Sequence, residues 1–117
     1  MKTHGIVINT SFSNKNIFKD LKIIGQRQSS SNPWTLYKID FSHNTKELTE
    51  QLQNNLLENF YFHYYTDKKV VVVFSDKIFV ATHNKRSWKE FIAFGVSKGI
   101  PIEQLNLMPS NFEEENY

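Results

Sequence analysis

With 117 residues, no cysteine and a formal net charge of +2, the chain is sized for one domain with its own core, and disulfide and thiolate chemistry are excluded. The charge is too small to demand an anionic partner. No stretch approaches the roughly 18 apolar residues of a membrane span. The opening MKTHGIVINTSFSNK lacks the long apolar run and small-residue cleavage site of a signal peptide, so a cytoplasmic protein without membrane attachment is expected.

In chain order, HGIVINT (His4 to Thr10) reads as a short, largely buried strand, β-branched and bounded by turn formers. Beyond the polar loop SFSNKN, Ile17, Phe18, Leu21 and Ile24 recur at helical spacing, and Gly25 suits the left-handed position that closes a helix. QRQSSSNP has no periodicity and reads as a mobile connection. In WTLYKIDFS, Tyr37, Ile39 and Phe41 alternate with Leu36, Lys38 and Asp40, a strand with one apolar face.

Asn44 stands three residues before Glu47, the spacing of a capping box. Leu48, Leu52 and Leu56 form the stripe of the helix behind it, which Asn54 and Asn55 should fray before Phe60. Three strands then follow at about 60–66, 69–75 and 77–82, joined by turns so short that adjacent antiparallel pairing is expected. SWKE supplies a second capping box at Ser87 and Glu90, and Trp88, Phe91, Ile92 and Val96 share one helical face up to Gly99. Gly95 falls inside that apolar arc, where glycine costs about 1 kcal/mol against alanine, so close contact with a ring or the sheet is expected there. Pro101 opens a last short turn.

The order β-α-β-α-β-β-β-α predicts an α+β domain: a mixed, mainly antiparallel five-stranded sheet with helices on one face. In architecture this loosely resembles the ferredoxin-like sandwich with an added strand. Residues 1–112 form the expected domain. Glu113 to Glu115 belong to an acidic tail, 113–117, expected to be disordered; the residues before that run carry 14 basic against 9 acidic side chains, from totals of 14 and 12 less these three.

The aromatic stretch Phe60–Tyr65 holds the functional question. Alternation puts Phe60, Phe62 and Tyr64 on one face and Tyr61, His63 and Tyr65 on the other. The next strand, VVVVF, is apolar on both sides. Helices on one face alone would leave Tyr61, His63 and Tyr65 on an apolar surface that needs cover, from a second copy of the chain, from the segment LNLMPSNF folding back, or from a ligand. The primary expectation is a non-catalytic interaction or regulatory domain, a homodimer joined through Tyr61, His63 and Tyr65, whose rings and polar tips suit a wet interface.

Two alternatives use the same face. Its rings can stack on single-stranded nucleic acid, with Lys68, Lys69, Lys85 and Arg86 meeting phosphates. A small molecule or substrate can occupy a pocket near His63. Lys85, Arg86 and Lys89 surround a helix start and form a weak candidate anion site. Asn9, Thr10 and Ser11, after the first strand, can contact a ligand or simply make the turn. His4, His43, His63 and His83 form no metal-ligand pair, so no metal or cofactor is expected. No GxSxG or paired carboxylates occur, and no enzyme class emerges.

Overall fold

A computed structural model describes residues 1–116 as a six-stranded sheet with helical elements on both faces. The strands are β1 (His4–Ile8), β2 (Ile23–Gln28), β3 (Thr35–Asp40), β4 (Tyr61–Tyr65), β5 (Val70–Phe74) and β6 (Ile78–Ala81). They lie in the order β2-β3-β1-β4-β5-β6, and every neighbouring pair is antiparallel. The helices are α1 (Thr45–Asn54) and α2 (Lys89–Ser97). No helix among the described residues is long and apolar enough to cross a membrane.

The extra strand is β2. Ile17 and Leu21 are buried as helical spacing requires, but the helix is only a 3-10 segment, Lys15–Asp20. The chain then extends. Ile23 and Ile24, β-branched and well exposed, begin an edge strand paired to β3, with a register irregularity between Ile23 and Gly25. Gly25 therefore closes no helix and pairs with Lys38 instead. The first three residues of QRQSSSNP are strand: Gln26, Arg27 and Gln28 face Tyr37, Leu36 and Thr35.

Because β1 and β2 are both antiparallel to β3, they run parallel to each other with β3 between them. The same holds for β3 and β4 around β1. Both crossing connections lie on one face. There Ile17 and Leu21 from the first crossing and Leu48, Leu52 and Leu56 from the second meet Val7, Ile39, Phe62, Val71 and Val73. Each fully buried leucine contributes about 2 kcal/mol to holding that layer.

The opposite face has its own core, which corrects the expectation of helices on one side. Phe91 of α2, Trp88, Ile100, Leu105 and Leu107 pack on Tyr65, Val70, Val72 and Phe74. β5 is buried at all five positions because it has a helical layer on each side. Six strands and a two-sided cover replace the five-stranded, one-sided, ferredoxin-like arrangement.

The second and third expected helices are present as α1 and α2, with different chemistry at the caps. Asn44 occupies the N-cap of α1 without a side-chain hydrogen bond. Before α2, Asn84 caps a 3-10 turn, Lys85–Trp88, and Ser87 Oγ instead closes the loop onto Thr82 and Asn84. At the other end Gly99 adopts φ +86°. Its N–H reaches the Val96 carbonyl at 3.0 Å and Ile100 N–H reaches that of Gly95 at 3.1 Å, the paired closure of a Schellman motif. Gly95 lies against the Leu105 side chain, so the expected tight contact is with the C-terminal segment and involves no ring or strand.

Gly5 is required by the two rings above it. Phe41 and Tyr64 stack 5.1 Å apart, and a Cβ on Gly5 would stand 2.5 Å from Phe41 Cε2 and 2.8 Å from the His63 carbonyl oxygen. Backbone cannot yield as a flexible side chain can. Gly5→Ala is expected to destabilise the protein by about 3 kcal/mol, read as a lower urea midpoint with an unchanged denaturant slope.

Candidate functional site

The register of the sheet brings rows of side chains together on the α2 face. His4 lies opposite Tyr65 and Asp40, and Ile6 lies opposite His63 and Lys38. Ile8 lies opposite Leu36, which in turn faces Arg27. Tyr61, His63 and Tyr65 share this face as alternation predicts, but His63 and Tyr65 are closed off and Tyr61 is half-buried. Tyr65 is 0% and His63 4% exposed. The chain after α2 runs over them and hydrogen-bonds each ring. Tyr61 Oη donates to the Gln104 carbonyl, His63 Nε2 to the Pro109 carbonyl at 2.7 Å, and Tyr65 Oη to Glu115 Oε2 at 2.6 Å.

Of the three covers weighed from sequence, the protein's own C-terminal segment is the one in place. This removes the premise of a dimer joined through that face, and it also withdraws the rings from bases. Lys68 and Lys69 remain exposed at the β4–β5 turn, next to a buried Tyr65. Lys85, Arg86 and Lys89 are exposed around the start of α2, with Lys85 Nζ 5.7 Å from the Trp88 ring. Asn84 Oδ1 already accepts the Arg86 N–H, and the charges of Lys85 and His83 act on Glu114. Among the described residues no group of acidic and histidine side chains forms a metal site.

The acidic run is not a free tail. Glu115 receives Tyr65 Oη, His4 Nδ1 at 2.7 Å and Lys38 Nζ at 3.3 Å, from three adjacent strands. Burial raises the Glu115 carboxyl pKa, but the hydrogen bonds from Tyr65 and His4 and the charges of His4 and Lys38 outweigh it and hold the group below its usual range. Glu114 turns back on Ser110, accepting its N–H at 2.7 Å and its hydroxyl at 2.8 Å. Glu115 is thus held by partners far away in sequence and Glu114 by Ser110, four residues before it; Tyr117, the end of the expected tail, lies outside the described residues.

Where the covering segment stops, a cleft remains. It has a volume of about 290 Å³ and lies between the loop joining β2 to β3 and residues 103–108. Ile6, Ile8, Leu36, Tyr61 and His63 line its sheet side; Trp34, Ser29–Asn32 and Arg27 form one flank, and Glu103, Gln104, Asn106, Leu107 and Met108 the other. Trp34 is steadied by Phe60, ring centroids 5.5 Å apart. The Tyr61 phenol is pushed up by desolvation. Burial pushes His63 down to about 4, only partly offset by the Pro109 carbonyl and the Glu114 charge.

The structure therefore brings Tyr61 and His63 to the cleft and sends Tyr65 to the Glu115 cluster. Arg27 and Trp34 do not stand out in the sequence because QRQSSSNP carries no periodicity that would place a strand beside them; a tryptophan directly after a polar loop is the available signal. No protein-family model, no curated protein and no solved structure matches this chain.

Two predictions follow from the burial. His63 is neutral when folded and titrates near 6.5 when unfolded, so between pH 6.5 and about 4 the unfolded chain binds the extra proton. Its contribution, up to about 3 kcal/mol, is complete above pH 6.5 and lost as the pH falls toward 4. Urea midpoints across that window should climb with pH in the parent and flatten in His63→Gln. Separately, Glu115→Ala leaves Lys38 buried without that carboxylate and is expected to cost about 2 kcal/mol. Combined with Lys38→Met, the loss should be clearly less than the sum of the single changes in a denaturation cycle.

Proposed function

We propose that this protein is a small-molecule-binding domain that receives its ligand in the cleft over Tyr61 and His63. The carrying observation is the cleft itself: about 290 Å³, close to the lower end of the range of small-molecule sites, with an aliphatic floor and polar flanks. Such a combination buries a ligand's apolar surface and fixes its orientation with a few hydrogen bonds. The reading also accounts for the aromatic strand, whose rings are spent partly on anchoring the C-terminal segment and partly on lining the cavity.

Binding is favoured over chemistry by the state of the two titratable rings. His63 Nε2 is tied to a carbonyl, and burial holds its imidazolium well below neutrality, which weakens it as a proton carrier near pH 7. Tyr61 already gives its proton to the Gln104 carbonyl. Both groups are held still, which suits recognition.

A fragment screen followed by two-dimensional amide NMR tests this. Binders should move resonances of residues 29–34 and 103–108 and leave those of the β5–β6 half in place. Replacing Leu36 with Trp, which fills the cleft from its floor, should abolish the shifts while the fold persists. A broad fragment library that produces no saturable shift at these residues would overturn the reading.

A further inference from the structure

We propose, resting on the cleft being a binding site, that its ligand is a neutral saccharide. Its ring would lie beside Trp34 and its hydroxyls would meet the amide and hydroxyl side chains of the two flanks.

The first argument is charge. The lining carries one guanidinium, Arg27, and one carboxylate, Glu103, whose formal charges cancel, and its histidine is uncharged near neutral pH. A phosphate, a dicarboxylate or a polyamine would find no excess of opposite charge here. Glu103 offers acceptors on its flank, which a ligand rich in hydroxyls can meet, since each hydroxyl both gives and accepts.

The second argument is the identity of the polar groups. Asn32, Gln104 and Asn106 present three amides, each able to donate and accept, beside the hydroxyls of Ser29, Ser30 and Ser31. Asn32 Oδ1 is engaged by the Trp34 N–H at 3.0 Å, which leaves its NH2 to donate. His63 adds an acceptor: because Nε2 must carry the hydrogen given to the Pro109 carbonyl, Nδ1 holds a lone pair.

The third argument is the placement of rings. Trp34 stands on one flank, steadied by Phe60, while the flank across from it, Glu103 to Met108, contains no aromatic residue. A flat heteroaromatic base is best held between two rings or between a ring and a guanidinium plane; here the opposite wall is amide and carboxylate. A pyranose needs one ring, for its C–H face, and polar groups around its edge. Ile6, Ile8 and Leu36 then receive the remaining apolar surface, such as an acetamido methyl or a glycosidic alkyl group.

The test is NMR titration of the intact protein with N-acetyl-D-glucosamine, methyl β-D-glucopyranoside and a β-linked disaccharide, alongside adenosine and benzoate. The expected result is saturable shifts of the Trp34 indole N–H and of amides 29–32 and 104–107 with at least one sugar. Trp34→Ala and the paired change Gln104→Ala/Asn106→Ala should each weaken that binding by about tenfold or more, the scale of losing a desolvated aromatic or amide contact. The second variant alters only exposed side chains, so it remains informative if the tryptophan change unfolds the protein. Saturable shifts in the cleft with adenosine or benzoate, and none with sugars, would overturn the saccharide assignment while leaving the binding site intact. No shift in the cleft with these probes or with the wider fragment set would remove both.

Discussion

The structure depends on one contact: the chain beyond α2 lying across the second face of the sheet. β5 is apolar on both sides, and its neighbour β4 carries three rings toward that face. Left in water, such a surface would drive association. Here α2 covers the β5–β6 half through Phe91, and Leu105 and Leu107 extend the cover. α2 alone is too short to reach β1 and β3: nine residues at 1.5 Å each span about 14 Å.

An irregular segment can serve as cover only if its backbone polar groups find partners. The aromatic strand supplies them. Tyr61 and His63 each give a hydrogen to a carbonyl of the segment, Gln104 and Pro109, so the rings are both the apolar surface to be hidden and the donors that make hiding possible. Further along, the anchor is ionic. Glu115 enters a site where His4, Lys38 and Tyr65 converge from three strands. The side chain is largely withdrawn from water, 13% exposed, and its several donors offset the cost of burial. Close docking near Gly95, whose missing side chain lets Leu105 in, completes the attachment.

Much of this was legible in the sequence, and the failures have specific causes. Period-two alternation placed Phe62 and Tyr64 against α1 and Tyr61, His63 and Tyr65 on the other side, because a strand has no freedom to do otherwise. Short polar turns did the same for the β4–β5–β6 meander. The missed strand arose where Ile17 and Leu21 satisfy helical spacing and Ile23 and Ile24 merely continue an apolar run; the bulge at Ile24 breaks the alternation that would have marked β2. The second layer is not legible because strands apolar on both sides do not decide which face α2 covers. The role of Glu115 is not legible in a run of three glutamates, because its partners, His4, Lys38 and Tyr65, come together only once the strands are assembled. Of the cleft, Tyr61 and His63 were legible as the rings on the correct face. Trp34 and Arg27 were not, since their position depends on β2.

The position of the cleft then follows from the register. The three rows of the covered face begin at His4, Ile6 and Ile8 on β1. Glu115 closes the first, through His4 and Tyr65, and reaches Lys38 in the second. His63, also in the second row, is closed by the Pro109 carbonyl. In the third, Ile8 and Leu36 sit where β2 and β3 continue into their connecting loop, and Tyr61 is hydrogen-bonded to the C-terminal segment at the Gln104 carbonyl. A sheet six strands wide under a cover anchored at Tyr61, His63 and Glu115 leaves one corner unfilled, and the β2–β3 loop walls it on the open side. The same anchoring that covers this face with the protein's own chain therefore leaves a cavity beside it. Walls formed before a ligand arrives lose little freedom on binding, and that is the physical ground on which we propose binding as the use of the cleft.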